Sequence, residues 1–189
     1  VNKLLKERIM EIRKFAPPDE DRTVFKTNLV RVFVPKRPHT HAEYGGHLVI
    51  QTLEPHAFRG EFSEDERHET MVLSQAVEAL MMTILGAQFC NLQDNGNWAF
   101  LSGGSNQRRC HLHVYGRGPE EDQYDGPGYQ RWGMSLNFPH PTELARINGE
   151  PDPAGAVWLD FIHPYSSEQI APIEQHLPGL YQNYLECGD

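Results

Sequence analysis

His111 and His113 stand two residues apart in the segment Arg109-Cys-His-Leu-His-Val-Tyr-Gly-Arg117. Side chains of a strand alternate between its faces, so on a strand both imidazoles project to one side, together with Arg109 and Tyr115. Clustered imidazoles on a packed face would need partners for several ring nitrogens. On a ligand-facing side they can act as base, nucleophile or metal ligand. Cys110 falls on the opposite face, which argues against a Cys–His nucleophile pair. On spacing alone, a bland reading as two hydrogen-bonded or exposed histidines weighs as much, because so short a motif often arises by chance.

The formal charge of −9 argues against a nucleic-acid polymer as partner, since backbone binding rests on clustered Lys and Arg. Against that acidic background Arg108, Arg109 and Arg117 flank the histidines, a local excess suited to a small anionic ligand. Hydrophobic residues at 39% and charged residues at 23% are enough for one well-filled core in a chain of 189 residues, so a single domain over 1–189 is expected. The three cysteines, Cys90, Cys110 and Cys187, have neither disulfide-framework nor zinc-ribbon spacing. No apolar run approaches a membrane span, and the charged N-terminus has no signal-peptide stretch behind it. A cytoplasmic protein without membrane association is expected.

The elements that must hold the histidines can be read from periodicity. Leu5, Ile9, Ile12 and Ala16 recur at helical spacing before Pro17-Pro18, which predicts an N-terminal helix. Leu29–Val34 and Gly46–Ile50 read as neighbouring strands, joined by a linker carrying His39, His41 and Glu43. Ser63 and Glu66 form a capping-box pattern ahead of Leu73, Val77, Leu80 and Ile84, with Gly86 after the last turn, so a long helix is predicted there. Phe89–Leu101, broken by Asp94-Asn-Gly96, and Cys110–Tyr115 read as further strands around a loop. From Gly116 to Gly155 irregular structure is expected, then a strand at Val157–Ile162. A helical tail from Ser167 to Leu185 is predicted, interrupted at Pro172 and Pro178. Strands and helices without a regular βαβ rhythm give an α+β class with a mainly antiparallel sheet.

The segment His-Leu-His-Val-Tyr-Gly-Arg (111–117) resembles the last two positions of the histidine triad (HIT) family motif, with that family's hydrophobic pair and Gly/Pro-Arg ending. Gly46-His-Leu-Val-Ile50 resembles the strand before that family's long helix, and the capped helix and Asn-rich turn (91–97) follow in the family's order. The resemblance covers about 24–117 and leaves 118–189 as an irregular and helical extension. It implies a nucleoside phosphate bound beside the histidines and a nucleotidyl-histidine intermediate on His111, with His113 contacting the phosphate or leaving group. It also implies phosphoric-anhydride or phosphoramide hydrolysis or nucleotidyl transfer, of the kind acting on dinucleoside polyphosphates. A homodimer is implied, and no resident cofactor, although Mg²⁺ can accompany substrate phosphates.

Arg109 takes the first triad position, a departure whose fixed charge would favour neutral His111 and could hold a phosphate oxygen, or else marks a decayed site. Asn97, Gln107 and His47 are further candidates for nucleotide or phosphate binding. A turn asparagine and a hydrogen-bonded core histidine are the bland alternatives for Asn97 and His47. A second register, with Gln107 four residues ahead of the triad, would make His113 the nucleophile and put Tyr115 third; the Arg117 spacing favours the first. Val32 and Val34 could line a base pocket, with core packing as the default. Two rival classes remain: a cupin-like His-x-His metal enzyme using His111, His113, Glu120 and one of His39, His41 or His47, and a non-catalytic nucleotide sensor.

Overall fold

The computed structural model describes residues 21–35, 38, 40, 42, 45–94, 110–117 and 165–186. The expected N-terminal helix, the Val157–Ile162 strand, the irregular segment from 118 on, and the positions His39, His41, Glu43 and Glu120 lie outside the described residues.

Five strands, β1 (Arg22–Lys26), β2 (Val30–Val34), β3 (His47–Thr52), β4 (Phe89–Gln93) and β5 (His111–Arg117), form one sheet in the order β1-β2-β3-β5-β4. All four pairings are antiparallel. The fold class is therefore α+β with an antiparallel sheet, as the absence of a βαβ rhythm predicts. β1 was not foreseen. Its sequence Arg-Thr-Val-Phe-Lys buries only Val24 fully, and a register shift between Thr23 and Phe25 breaks its alternation. Pairing with β2 supplies what its composition does not.

The helix α1 (Glu64–Thr83) runs where its periodicity places it, and the capping box is complete: Glu66 N–H donates to Ser63 Oγ at 3.2 Å and Ser63 N–H to Glu66 Oε2 at 2.8 Å. Its apolar side, Val72, Leu73, Ala76, Val77, Leu80 and Met81, packs on one face of the sheet. Gly86, at φ +76°, turns the chain toward β4.

The second helix, α2 (Ser167–Glu186), runs unbroken through Pro172 and Pro178, which corrects the interruption expected at both. Proline in a helix interior costs about 3 kcal/mol by removing a hydrogen bond and crowding the preceding turn. Here Ile170, Ile173, Leu177 and Tyr181 are all buried against the core, and packing of that stripe overrides local propensity.

The two helices cover one face of the sheet. Val30, Val32, Val34, Leu48, Ile50 and Val114 point into that core. The register therefore sends the alternate residues to the other face: Arg31 and Phe33 of β2, Val49 and Gln51 of β3, and His111, His113 and Tyr115 of β5.

Candidate functional site

Pairing across β3 and β5 sets His47 opposite Tyr115, Val49 opposite His113 and Gln51 opposite His111. Directly opposed residues share a face, so three histidines and a tyrosine converge on the side away from the helices. The His111 and His113 rings meet edge to face with centroids 4.7 Å apart. His47 Nε2 lies 2.9 Å from His113 Nδ1, and its ring stacks on Tyr115 at 4.3 Å. His111 and His113 are partly exposed while His47 is 1% exposed, so the face presents two imidazoles and buries the third behind them.

His47 thus holds His113 rather than facing solvent. The contact takes up Nδ1 of His113, so the nitrogen of that ring turned outward is Nε2. Two neighbours fix His47 in turn. Its backbone N–H donates to the Tyr165 hydroxyl, and that hydroxyl donates to the Thr40 carbonyl at 3.1 Å. Burial pushes the Tyr165 phenol far above its ordinary range, so it stays protonated and keeps this donor. Just before β3, Gly45 sits against Gly116: a methyl group on Gly45 would meet Gly116 Cα at 2.7 Å, so the two backbones touch where β3 and β5 begin to pair.

The other end of β5 is anchored by His56, which the sequence reading passed over. Its carbonyl accepts the Cys110 amide at 2.8 Å, and its Nε2 lies 2.9 Å from Glu66 Oε1 at the head of α1. Burial raises the Glu66 carboxyl, but the bonds from His56 and Ser63 outweigh it and leave the carboxyl below its ordinary value. Through His56, the capping-box Glu66 thus ties the long helix to Cys110, the residue just ahead of the histidine strand. Burial pushes the Cys110 thiol up to about 11, with Asp94 adding to it, so the thiol is un-ionised beside the histidines and no thiolate nucleophile is available.

Arg117 is 7% exposed and donates through Nε to Asn91 Oδ1 at 2.9 Å, with its guanidinium over the Tyr115 ring at 5.6 Å. It braces β5 against β4. Val32 and Val34 lie in the helix-covered core, which corrects their candidacy for a base pocket; the β2 residues on the histidine face are Arg31 and Phe33. A one-residue difference in the alternation decides this. A cavity of about 390 Å³, lined by Arg67, Thr70, Leu92 and Leu112 among others, opens on the helix side and not on the histidine face. Asn97, Gln107 and Arg109 lie outside the described residues. Among the described residues no cluster of three or more His, Cys, Asp or Glu side chains has the geometry to hold a metal ion, and no helix is long and apolar enough to cross a membrane.

The link between His47 and His113 can be tested without disturbing the stack on Tyr115. His47→Phe keeps an aromatic ring there and removes the bond to His113. The variant is expected to unfold at a temperature near that of the unmodified protein, with the His113 ring signals displaced in NMR spectra as Nδ1 loses its partner. Unmoved His113 signals in His47→Phe would break the link.

No family model matches the sequence, and no curated protein matches it. Solved structures do. A zinc-bound histidine triad family protein from Mycobacterium smegmatis is 14% identical, with 92% of this chain and 96% of that one covered at a TM-score of 0.48. A hypothetical histidine triad nucleotide-binding protein from Sulfolobus tokodaii is 14% identical over 87% of this chain and 85% of that one, at a TM-score of 0.46. The C. elegans NitFhit protein is 12% identical at a TM-score of 0.46, over 84% of this chain and 27% of its own longer one. The fold of this chain is α+β, with two helices on one face of an antiparallel sheet and three histidines on the other.

Proposed function

We propose that the histidine face is the active site of a nucleoside phosphate hydrolase or nucleotidyl transferase that works through a nucleotidyl group on His111. The observation that carries this reading is the pairing of two partly exposed imidazoles, His111 and His113, in edge contact at 4.7 Å, with the second oriented from behind by buried His47. Such an arrangement offers one ring as nucleophile and another as a positioned proton donor.

The neutral His111 ring nitrogen attacks the α-phosphorus in line, forming a P–N bond as the bond to the leaving oxygen or nitrogen breaks. The leaving group takes a proton from the outward nitrogen of His113 in its imidazolium form, which is left as the neutral ring with Nδ1–H turned to His47 Nε2. Water or another acceptor then attacks phosphorus from the opposite side, gives its proton back to His113, and releases His111 as the P–N bond breaks. Any Mg²⁺ would arrive on the substrate's phosphates. Arg109, Asn97 and Gln107 are proposed as phosphate contacts that complete the site from the segment before β5. We further propose a cytoplasmic homodimer. The exposed apolar side chains Phe89 and Leu92 lie on β4, the edge strand, and sedimentation at micromolar concentration would show a monomer if pairing fails.

Rapid quenching with an AMP-containing dinucleoside polyphosphate or phosphoramidate tests the covalent step. An acid-labile nucleotidyl group is expected on the peptide that holds His111 and His113. An adduct that survives in His111→Gly and is lost in His113→Gly would reassign the nucleophile to His113. Turnover with no adduct and full dependence on a chelatable metal would replace the mechanism.

A further inference from the structure

Beside the histidines, one polar side chain of the same face is left over by this mechanism. Gln51 stands directly opposite His111 on β3, and Arg31 stands directly opposite Gln51 on β2, so the three form a row across the sheet. Gln51 is 7% exposed, an unusual place for a carboxamide unless both of its ends are used. Arg31 donates to Gln51 Oε1 twice, from Nε at 3.0 Å and from Nη2 at 2.7 Å. A guanidinium only donates, so the atom it grips must be the oxygen, and this settles which way the carboxamide faces. Both hydrogen bonds of the side chain run into that oxygen, and among the described residues its NH₂ group makes none. Arg31 is itself steadied by the Phe33 ring, 4.4 Å from the guanidinium carbon.

A nearly buried amide whose acceptor is taken, whose donor end is uncommitted and whose cross-strand neighbour is a partly exposed histidine is built to meet an acceptor arriving at that histidine. The Arg31 charge draws electron density toward Oε1 and makes the NH₂ a stronger donor.

We propose that Gln51 is a phosphoryl-binding residue: its Nε2 donates to a non-bridging oxygen of the phosphate group held at His111, with Arg31 fixing the carboxamide for that contact. The inference rests on the reading of the histidine face as a nucleoside phosphate site and adds to it a recognition row on the β2–β3 side. Gln51→Glu is the discriminating variant, because it keeps an acceptor for Arg31 while replacing the NH₂ donor by a negatively charged oxygen.

Calorimetric titration of the full chain with AMP and, separately, with inorganic phosphate measures the effect. The Gln51 side-chain amide is followed by ¹⁵N NMR in the wild-type protein, where folding of a variant is not at issue. AMP is expected to shift the Gln51 NH₂ signal and to bind Gln51→Glu about 10–100-fold more weakly, the scale of a charge-assisted hydrogen bond. If the wild-type protein binds AMP while the Gln51 signal stays in place, or while a folded Gln51→Glu binds as tightly, the inference is overturned and the nucleotide reading stands. If inorganic phosphate binds with the Gln51 shift but AMP does not bind, Gln51 keeps its role and the nucleotide reading falls. Binding of neither ligand overturns both.

Discussion

On the proposed mechanism, His111→Ala is expected to lower kcat on an AMP-containing substrate by about 10⁴-fold or more, because it removes the atom that would form the covalent bond and not merely an aid to it. The fold should survive. The side chain is partly exposed on the sheet face away from the helices, so its removal opens no core cavity, and the unfolding free energy should change by less than about 1 kcal/mol. His113→Ala should cost less, about 10²–10⁴-fold, the usual range for a general acid. The two losses should not add: once the nucleophile is gone, removing the proton donor has little left to act on. A double variant that multiplies both losses would show two independent groups and would count against a single reacting pair.

The largest effect on stability is expected from Leu177→Ala. Leu177 is fully buried where α2 lies against α1 and the sheet, and truncating such a leucine costs about 2–5 kcal/mol through lost transfer energy and the cavity left behind. Glu174 on the same helix makes the contrast. Its ion pair with Arg22 spans 2.9 Å, but the two side chains are 41% and 40% exposed, and a pair in that setting contributes about 0–1 kcal/mol. Urea unfolding of Leu177→Ala and Glu174→Ala should therefore separate clearly. Equal losses would mean that α2 is held by its charges and not by its apolar stripe.

The sequence made legible those features that depend on neighbours a few residues away. The capping box at Ser63 and Glu66, the apolar stripe of α1, and the placement of His111 and His113 on one side of a strand follow from local spacing, and all are present. Features that depend on distant partners were not legible. Val32 and Phe33 are both apolar, and only the register with β3 shows that Val32 faces the helices and Phe33 the histidines. Tyr165 reaches β3 across 118 positions of the chain, and no local pattern marks it as the residue that receives the His47 amide. Gln51 lay just past the predicted strand Gly46–Ile50, one polar residue among many until Arg31 and His111 were placed on either side of it. The prolines of α2 misled for the opposite reason: their local signal is strong, and burial of four side chains overcame it.

The position of β5 in the sheet bears on how the molecule assembles. β1, β2 and β3 follow one another in sequence and pair in that order, so they can form as a meander from nearby contacts. β4 has β5 as its one strand partner among the described residues, and His47 and His113, which touch across β3 and β5, are 66 positions apart. Until β5 slots between them, β3 is an open edge and β4 has no ladder to join. The strand that bears the clustered His111 and His113 is therefore also the wedge that closes the sheet, and the loop entropy of its arrival must be met before either neighbour is complete. Substitutions along β5 should slow folding, whereas those in β1 at the far edge should chiefly hasten unfolding.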